Sequence, residues 1–128
     1  MARILVVDDS EAVFLFVRRE LESEGHLVER LEAFTELSSY LRRVQPDLIL
    51  LDLEMPALSG TAFALFLRRI EQRPIKIVIH SSLPEGQLKS AAAEVKAVGI
   101  LHKSSNGNLL RDTVRRHVRA TADASASR

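Results

Sequence analysis

The residues best suited to chemistry are acids that stand directly after apolar runs. Ile4-Leu5-Val6-Val7 leads into Asp8-Asp9-Ser10, and Leu48-Ile49-Leu50-Leu51 leads into Asp52. Adjacent carboxylates raise each other's pKa unless a cation or a shared proton lies between them. Hard carboxylate oxygens suit Mg2+, which favours an octahedral shell of one or two carboxylates, several waters and often a phosphate oxygen. Asp9 and Asp52 would ligate such an ion directly, with Asp8 helping through water. A carboxylate is also a competent nucleophile toward phosphorus, and Asp52 is placed to form an acyl phosphate while the ion offsets the shared charge. Two further apolar runs end at Ser81-Ser82 and at Lys103. The Lys103 ammonium would pair with one phosphoryl oxygen and the Ser81 hydroxyl would donate to another. Ser82 competes with Ser81 for that part, and both serines also suit a turn. Any one of these acids alone reads as readily as a helix cap or a solvated loop. Their conjunction at strand ends carries the argument.

The elements that must gather these residues follow from the apolar pattern. Five short aliphatic runs, at 4–7, 26–28, 48–51, 75–79 and 98–101, read as strands. Between them lie segments with helical spacing: Val13, Phe14, Val17 and Leu21; Phe34, Leu37 and Leu41; Phe63, Phe66, Leu67 and Ile70; Leu88, Ala92 and Val95; Leu110, Val114 and Val118. Ser10 suits the cap of the first helix and Gly25 its end, while Gln45-Pro46 and Arg73-Pro74 stop the second and third. The first and third runs are apolar throughout, as expected of parallel strands covered on both faces by helices. The expected fold is α/β, a doubly wound sandwich. In such open sheets ligands bind beyond the carboxyl ends of the strands, where Asp8, Asp9, Asp52, Ser81 and Lys103 converge.

Composition narrows the function classes. The 128 residues, 46% hydrophobic and 27% charged, fit one domain with a sizeable core. Lys and Arg number 18 against 17 acids, so no global field marks a nucleic-acid or polybasic membrane binder. No cysteine is present, which excludes disulfides, thiolate zinc sites and cysteine nucleophiles. The start shows neither a signal peptide nor a spanning segment, so the expected address is the cytoplasm. The small polar stretch 120–128 reads as a flexible tail or linker stub after a domain at 1–119.

These residues resemble the receiver domains of two-component response regulators. The match covers 3–119 through ILVVDDS at 4–10, PDLILLDLEMPALSG at 46–60, IVIHSS at 77–82 and GILHKS at 99–104. The segment Asp52-Leu53-Glu54-Met55-Pro56 followed by Gly60 is the most specific part. Together with the strand–helix alternation, the resemblance implies a flavodoxin-like (βα)5 fold with sheet order 2-1-3-4-5. It also implies a Mg2+-dependent phosphoacceptor that takes a phosphoryl group from a histidine kinase or phosphotransfer protein onto Asp52. Asp8 and Asp9 match the acidic pair, Glu54 the metal ligand through its backbone carbonyl, Lys103 the phosphoryl-binding lysine and Ser81 the switch hydroxyl. In this family, rearrangement after the fourth strand alters a surface of the fourth helix, fifth strand and fifth helix.

Departures from the family pattern are local. Ser104 replaces the proline that often follows the lysine in a cis peptide, and a non-proline cis bond costs about 2.5–4 kcal/mol. Ile100 excludes the aromatic switch that many members carry there. His80 and His102 are unusual neighbours of the hydroxyl and the lysine, and would make the site pH-dependent if they approached it. Arg111, Arg115, Arg116 and Arg119 form a basic stripe on the fifth helix, read first as a solvated face. Output is expected through a downstream protein partner, without direct nucleic-acid or membrane contact, from a monomer or a phosphorylation-dependent dimer. The competing classes are a pseudo-receiver that binds partners without phosphate and a small aspartate-nucleophile phosphatase. The latter's nucleophile follows the first strand in a D-x-D pattern, where this chain has Asp8-Asp9-Ser10.

Overall fold

A computed structural model describes residues 2–31, 34–55, 59–71 and 74–126, with backbone alone at 34 and at 119–126. The chain alternates as expected: β1 (Arg3–Val7), α1 (Glu11–Glu22), β2 (Leu27–Arg30), a 3-10 turn (Phe34–Glu36), α2 (Leu37–Arg43), β3 (Leu48–Leu51), α3 (Gly60–Ile70), β4 (Lys76–Ser81), α4 (Glu85–Val95), β5 (Gly99–His102) and α5 (Gly107–Ala126). All strand pairs are parallel, in the order β2-β1-β3-β4-β5. This is the flavodoxin-like doubly wound fold of order 2-1-3-4-5.

Two cores explain why the central strands are apolar throughout. Leu5, Val7, Ile49, Leu51, Ile77 and Ile79 face α2, α3 and α4, packing on residues such as Leu41, Phe63 and Leu88. Ile4, Val6, Leu48, Leu50 and Val78 face the other way, onto Val17 and Leu21 of α1 and Leu110 and Val114 of α5. Alternate residues of each strand thus enter opposite cores. Every residue of β3 is buried, and burial continues into Asp52 at the start of the next loop.

Local chemistry sets the helix ends. Ser10 caps α1 by accepting from the Val13 N–H at 3.2 Å, and Ser59 caps α3 by accepting from Ala62 N–H at 3.0 Å. Gly25 follows α1 with φ of +85°, a conformation that suits glycine. Helix α2 ends at Arg43, ahead of Pro46, and α3 ends at Ile70; the Arg73 of the expected stop lies outside the described residues, as does Pro56.

Several expected boundaries shift. Strand β2 extends to Arg30 because its register continues to the Val6–Arg30 pair, drawing polar Glu29 and Arg30 into the sheet. Strand β4 runs on to Ser81 because β5 continues to pair with it, Ser81 lying opposite His102. The segment expected as a tail from 120 is instead a continuation of α5 to Ala126. Its alanines are the best helix formers and outweigh its polarity. Among the described residues no peptide is cis, the 103–104 bond included, and no helix is long and apolar enough to cross a membrane.

Candidate functional site

Parallel register brings the acids level. Val7 pairs with Leu51, and the Asp52 N–H donates to Val7 O at 2.9 Å, so the chains leave β1 and β3 side by side at Asp8 and Asp52. On the other side of β4, the Lys103 N–H donates to Ser81 O at 2.9 Å, which sets the lysine just beyond the same rim. Asp8, Asp9 and Asp52 each present a carboxylate oxygen within 4.8 Å of the other two. The Lys103 ammonium stands 3.0 Å from Asp8 Oδ2 and 3.4 Å from Asp52 Oδ2. The fold thus brings Asp8, Asp9, Asp52 and Lys103 together at one end of the sheet.

Burial gives this constellation its electrostatics. The Asp8 and Asp52 side chains are 2% exposed and that of Lys103 is 21% exposed. Burial pushes the Asp52 carboxyl above its ordinary value; the Glu54 N–H and Lys103 oppose this and the Asp8 charge adds to it. Burial works against the Lys103 ammonium as well, but its contacts with Asp8 and then Asp52 leave its pKa raised. One ammonium thus faces three carboxylates. Asp8 Oδ1 accepts from the Ser10 N–H at 2.9 Å, whereas Asp8 Oδ2 is buried and has no well-directed hydrogen bond despite its ion pair. A hard divalent cation suits both the surplus charge and this under-satisfied oxygen.

The loop after β3 holds Asp52 in place. Asp52 Oδ1 accepts from the Glu54 N–H at 3.1 Å. Gly60, the first residue of α3, packs so closely that a Cβ there would lie 2.3 Å from Asp52 O and 2.7 Å from Leu53 Cα. Its place in the expected motif thus has a steric reason. Ser81 is fully buried, and its hydroxyl donates to Glu54 Oε1 at 3.3 Å while accepting from the Leu83 N–H at 3.2 Å. Ser82 donates to the same Glu54 oxygen at 2.9 Å.

Two contacts escaped the sequence. Arg30, at the end of β2, donates to the carbonyls of Asp8 at 3.1 Å and Asp9 at 3.0 Å. Its only sequence signal was its place at the end of the strand that neighbours β1. The Glu54 side chain, rather than its backbone alone, joins the site through the two serines. The histidines divide: His80 is buried, and burial, aided by the Lys103 charge, pushes its pKa down to about 4. His102 instead lies 2.7 Å from Ser104 Oγ and 3.2 Å from Ser82 O. The basic stripe is also less free than expected, since Arg111 pairs with Glu20 on α1 and Arg115 with Glu24 in the turn that follows it.

Comparison with known proteins agrees with this geometry. Residues 4–115 match the response regulator receiver domain family. The chain is 35% identical over 130 residues to protein-glutamate methylesterase/protein-glutamine glutaminase 1 of Anaeromyxobacter dehalogenans, covering 98% of this chain and 37% of that protein. It is 33% identical over 126 residues to the KDP operon transcriptional regulatory protein KdpE of Escherichia coli, covering 95% of this chain and 55% of that one. The chain therefore spans little more than a third to about a half of the length of these two relatives. Among solved structures, chemotaxis protein CheY4 of Vibrio cholerae superimposes with a TM-score of 0.81 at 28% identity, covering 91% of this chain and 98% of that one.

Proposed function

The chain belongs to the response regulator receiver domain family, and from that premise we propose that it is a phosphoacceptor whose Asp52 takes a phosphoryl group from a histidine kinase or phosphotransfer protein. The observation that carries this reading is the over-acidic cluster: three carboxylates, those of Asp8 and Asp52 buried, with oxygens within 4.8 Å of one another and one ammonium at two of them. Asp8, Asp9, Asp52 and the Glu54 carbonyl would hold Mg2+. When bound, that ion would supply positive charge to offset the acids and the incoming phosphoryl oxygens.

The residues of the chain divide the rest of the work. An Asp52 carboxylate oxygen attacks the donor phosphorus; the new O–P bond forms as the P–N bond to the donor imidazole breaks, and the leaving imidazole takes a proton from solvent. Burial raises the Asp52 pKa, and positive charge nearby favours its carboxylate form. Lys103, already beside Asp8 and Asp52, pairs with a phosphoryl oxygen. Ser81 donates its hydroxyl to another, and that movement carries the loop after β4 with it. The readout is a downstream protein at the surface of α4, β5 and α5, where Ile100 stands in place of an aromatic. A cytoplasmic protein working as a monomer or a phosphorylation-dependent dimer fits this role.

Incubation with Mg2+ and acetyl phosphate, read by intact mass, tests the proposal. The parent is expected to gain one phosphoryl group and Asp52→Asn none. A parent that gains nothing would leave a phosphate-independent interaction module as the better reading.

A further inference from the structure

Glu54 follows Asp52 by two residues, and its backbone and side chain face different tasks. Its N–H holds Asp52 Oδ1, while Oε1 accepts from Ser82 Oγ at 2.9 Å and from Ser81 Oγ at 3.3 Å. Ser81 is 0% exposed. Because the Leu83 N–H already donates to its oxygen, the one proton of the Ser81 hydroxyl is the part left to aim, and it is aimed at Glu54. The main chain of the same two residues is fixed from the other side: Ser81 O accepts from the Lys103 N–H, and Ser82 O lies 3.2 Å from His102 Nε2. The serine pair is thus tied by its backbone to β5 and by its hydroxyls to the loop after β3.

A hydroxyl has a single proton to donate. Ser81 can serve Glu54 or a phosphoryl oxygen on Asp52, but not both at once. Ser82 Oγ makes the shorter contact, and so keeps the Glu54 carboxylate at hand to recapture Ser81.

Resting on the phosphoacceptor reading above, we propose that the Glu54 carboxylate is a positioning residue, a latch that holds the Ser81 and Ser82 hydroxyls away from the phosphoryl position until an anion on Asp52 outcompetes it for the Ser81 proton. Glu54 takes no part in the phosphoryl transfer through this contact. It sets how much of the binding energy of the phosphoryl group is used to open the switch.

The test titrates the full chain, with Mg2+ present, with beryllofluoride as the phosphoryl mimic, following affinity by calorimetry and the amide shifts of residues 81–83. Releasing a hydrogen bond of ordinary strength corresponds to a change of about three- to tenfold in affinity. Glu54→Ala is therefore expected to tighten binding by about that factor and Ser82→Ala by less, with the 81–83 amides of the free variants shifted toward their bound positions. Glu54→Gln, which loses the charge but keeps an acceptor oxygen, should stay nearer the parent than Glu54→Ala. In a Ser81→Ala background the gain from Glu54→Ala should vanish. An equal gain in that background would mean that Glu54 acts only as a repelling charge, and would overturn the latch, as would no gain in either Glu54→Ala or Ser82→Ala. A parent that binds no beryllofluoride overturns the phosphoacceptor reading itself, an outcome distinct from a parent that binds without responding to these changes.

Discussion

The molecule holds two groups of opposed charges that solve the same problem in opposite ways. Where α1 and the turn after it meet α5, Arg111 pairs with Glu20 and Arg115 with Glu24, while Asp112 on α5 itself also contacts Arg115. Those side chains are 18–61% exposed, so water screens whatever the partners leave uncompensated. At the carboxyl end of the sheet, one ammonium answers three acids, two of them 2% exposed. Here water cannot take up the difference. The partly exposed helix pair adds modestly to stability, whereas the sheet end keeps an electrostatic deficit that a bound cation and an anion on Asp52 can jointly use.

Removing the lysine should separate the two regions most sharply. Lys103→Met leaves Asp8 and Asp52 buried without a cation, a change that commonly costs about 3–5 kcal/mol. Chemical denaturation at neutral pH should show a loss of that order, smaller at acid pH because protonating Asp52 relieves the repulsion. Added Mg2+ should restore part of it. A loss below about 1 kcal/mol would mean that the sheet end is as well solvated as the helix pair.

The next effect is the pH dependence of stability. His80 shares the rim with Lys103, and its folded pKa of about 4 lies below the ordinary value of 6.5. With its folded pKa depressed, the neutral ring contributes stability that is fully present above pH 6.5 and lost as pH falls toward 4. The full loss is on the order of 3 kcal/mol. Parent and His80→Leu, compared by thermal melts across that window, should differ in slope, with the variant flatter. His26 and His117, whose pKa values are also lowered by burial, remain in both proteins and cancel.

A smaller effect, of opposite sign, belongs to Asp52. Its folded pKa is raised, so its contribution is fully present below the unfolded value and is lost as pH rises through the folded one. At neutral pH the ionised carboxylate is a burden on the metal-free fold, one that Lys103 lightens without removing. Asp52→Asn should therefore gain stability of about 1 kcal/mol in chelator. It should also respond less to Mg2+ than the parent does, since binding to the native state alone is what raises stability. A variant less stable than the parent in chelator would show that the lysine already compensates Asp52 in full.

Much of this contrast is legible in the sequence. The unbroken apolar runs at 4–7 and 48–51 can only be strands covered on both faces, and Asp8 and Asp52 mark where the cover ends. Their places after the fourth and fifth apolar runs of an expected parallel sheet put Ser81 and Lys103 at the same rim. The rest depended on pairing that no local pattern carries. Arg30 reaches the Asp8 and Asp9 carbonyls because the register of β2 runs farther than its apolar core, and polar residues at a strand end give no period to read. The Glu54 carboxylate binds the serines because two loops from different strands meet there. The length of α5 was misjudged because 120–128 lacks an apolar face, while alanine propensity acts without one. The arginine stripe reads as solvated in sequence because Glu20 and Glu24, its partners on α1 and in the turn after it, lie some ninety residues earlier in the chain.

The least effect is expected at the helix pair, and its size is what gives the comparison its scale. Glu20 covers the start of α5: a Cβ on Gly107 would lie 2.6 Å from its carboxylate, where the helix dipole favours negative charge. Arg111→Ala removes the ion pair but leaves that carboxylate over the helix N-terminus and 18% exposed, so it is not stranded as Asp8 would be. The expected loss is below about 1 kcal/mol. It should shrink further in high salt, because screening weakens partly exposed pairs far more than buried ones. The Lys103→Met loss should keep most of its size under the same conditions. Beryllofluoride affinity should change little in Arg111→Ala, since among the described residues Arg111 and Glu20 make no ion pair with the acidic cluster. If salt erased both losses equally, burial would not be what distinguishes the sheet end, and the deficit there would not be held in reserve for a ligand.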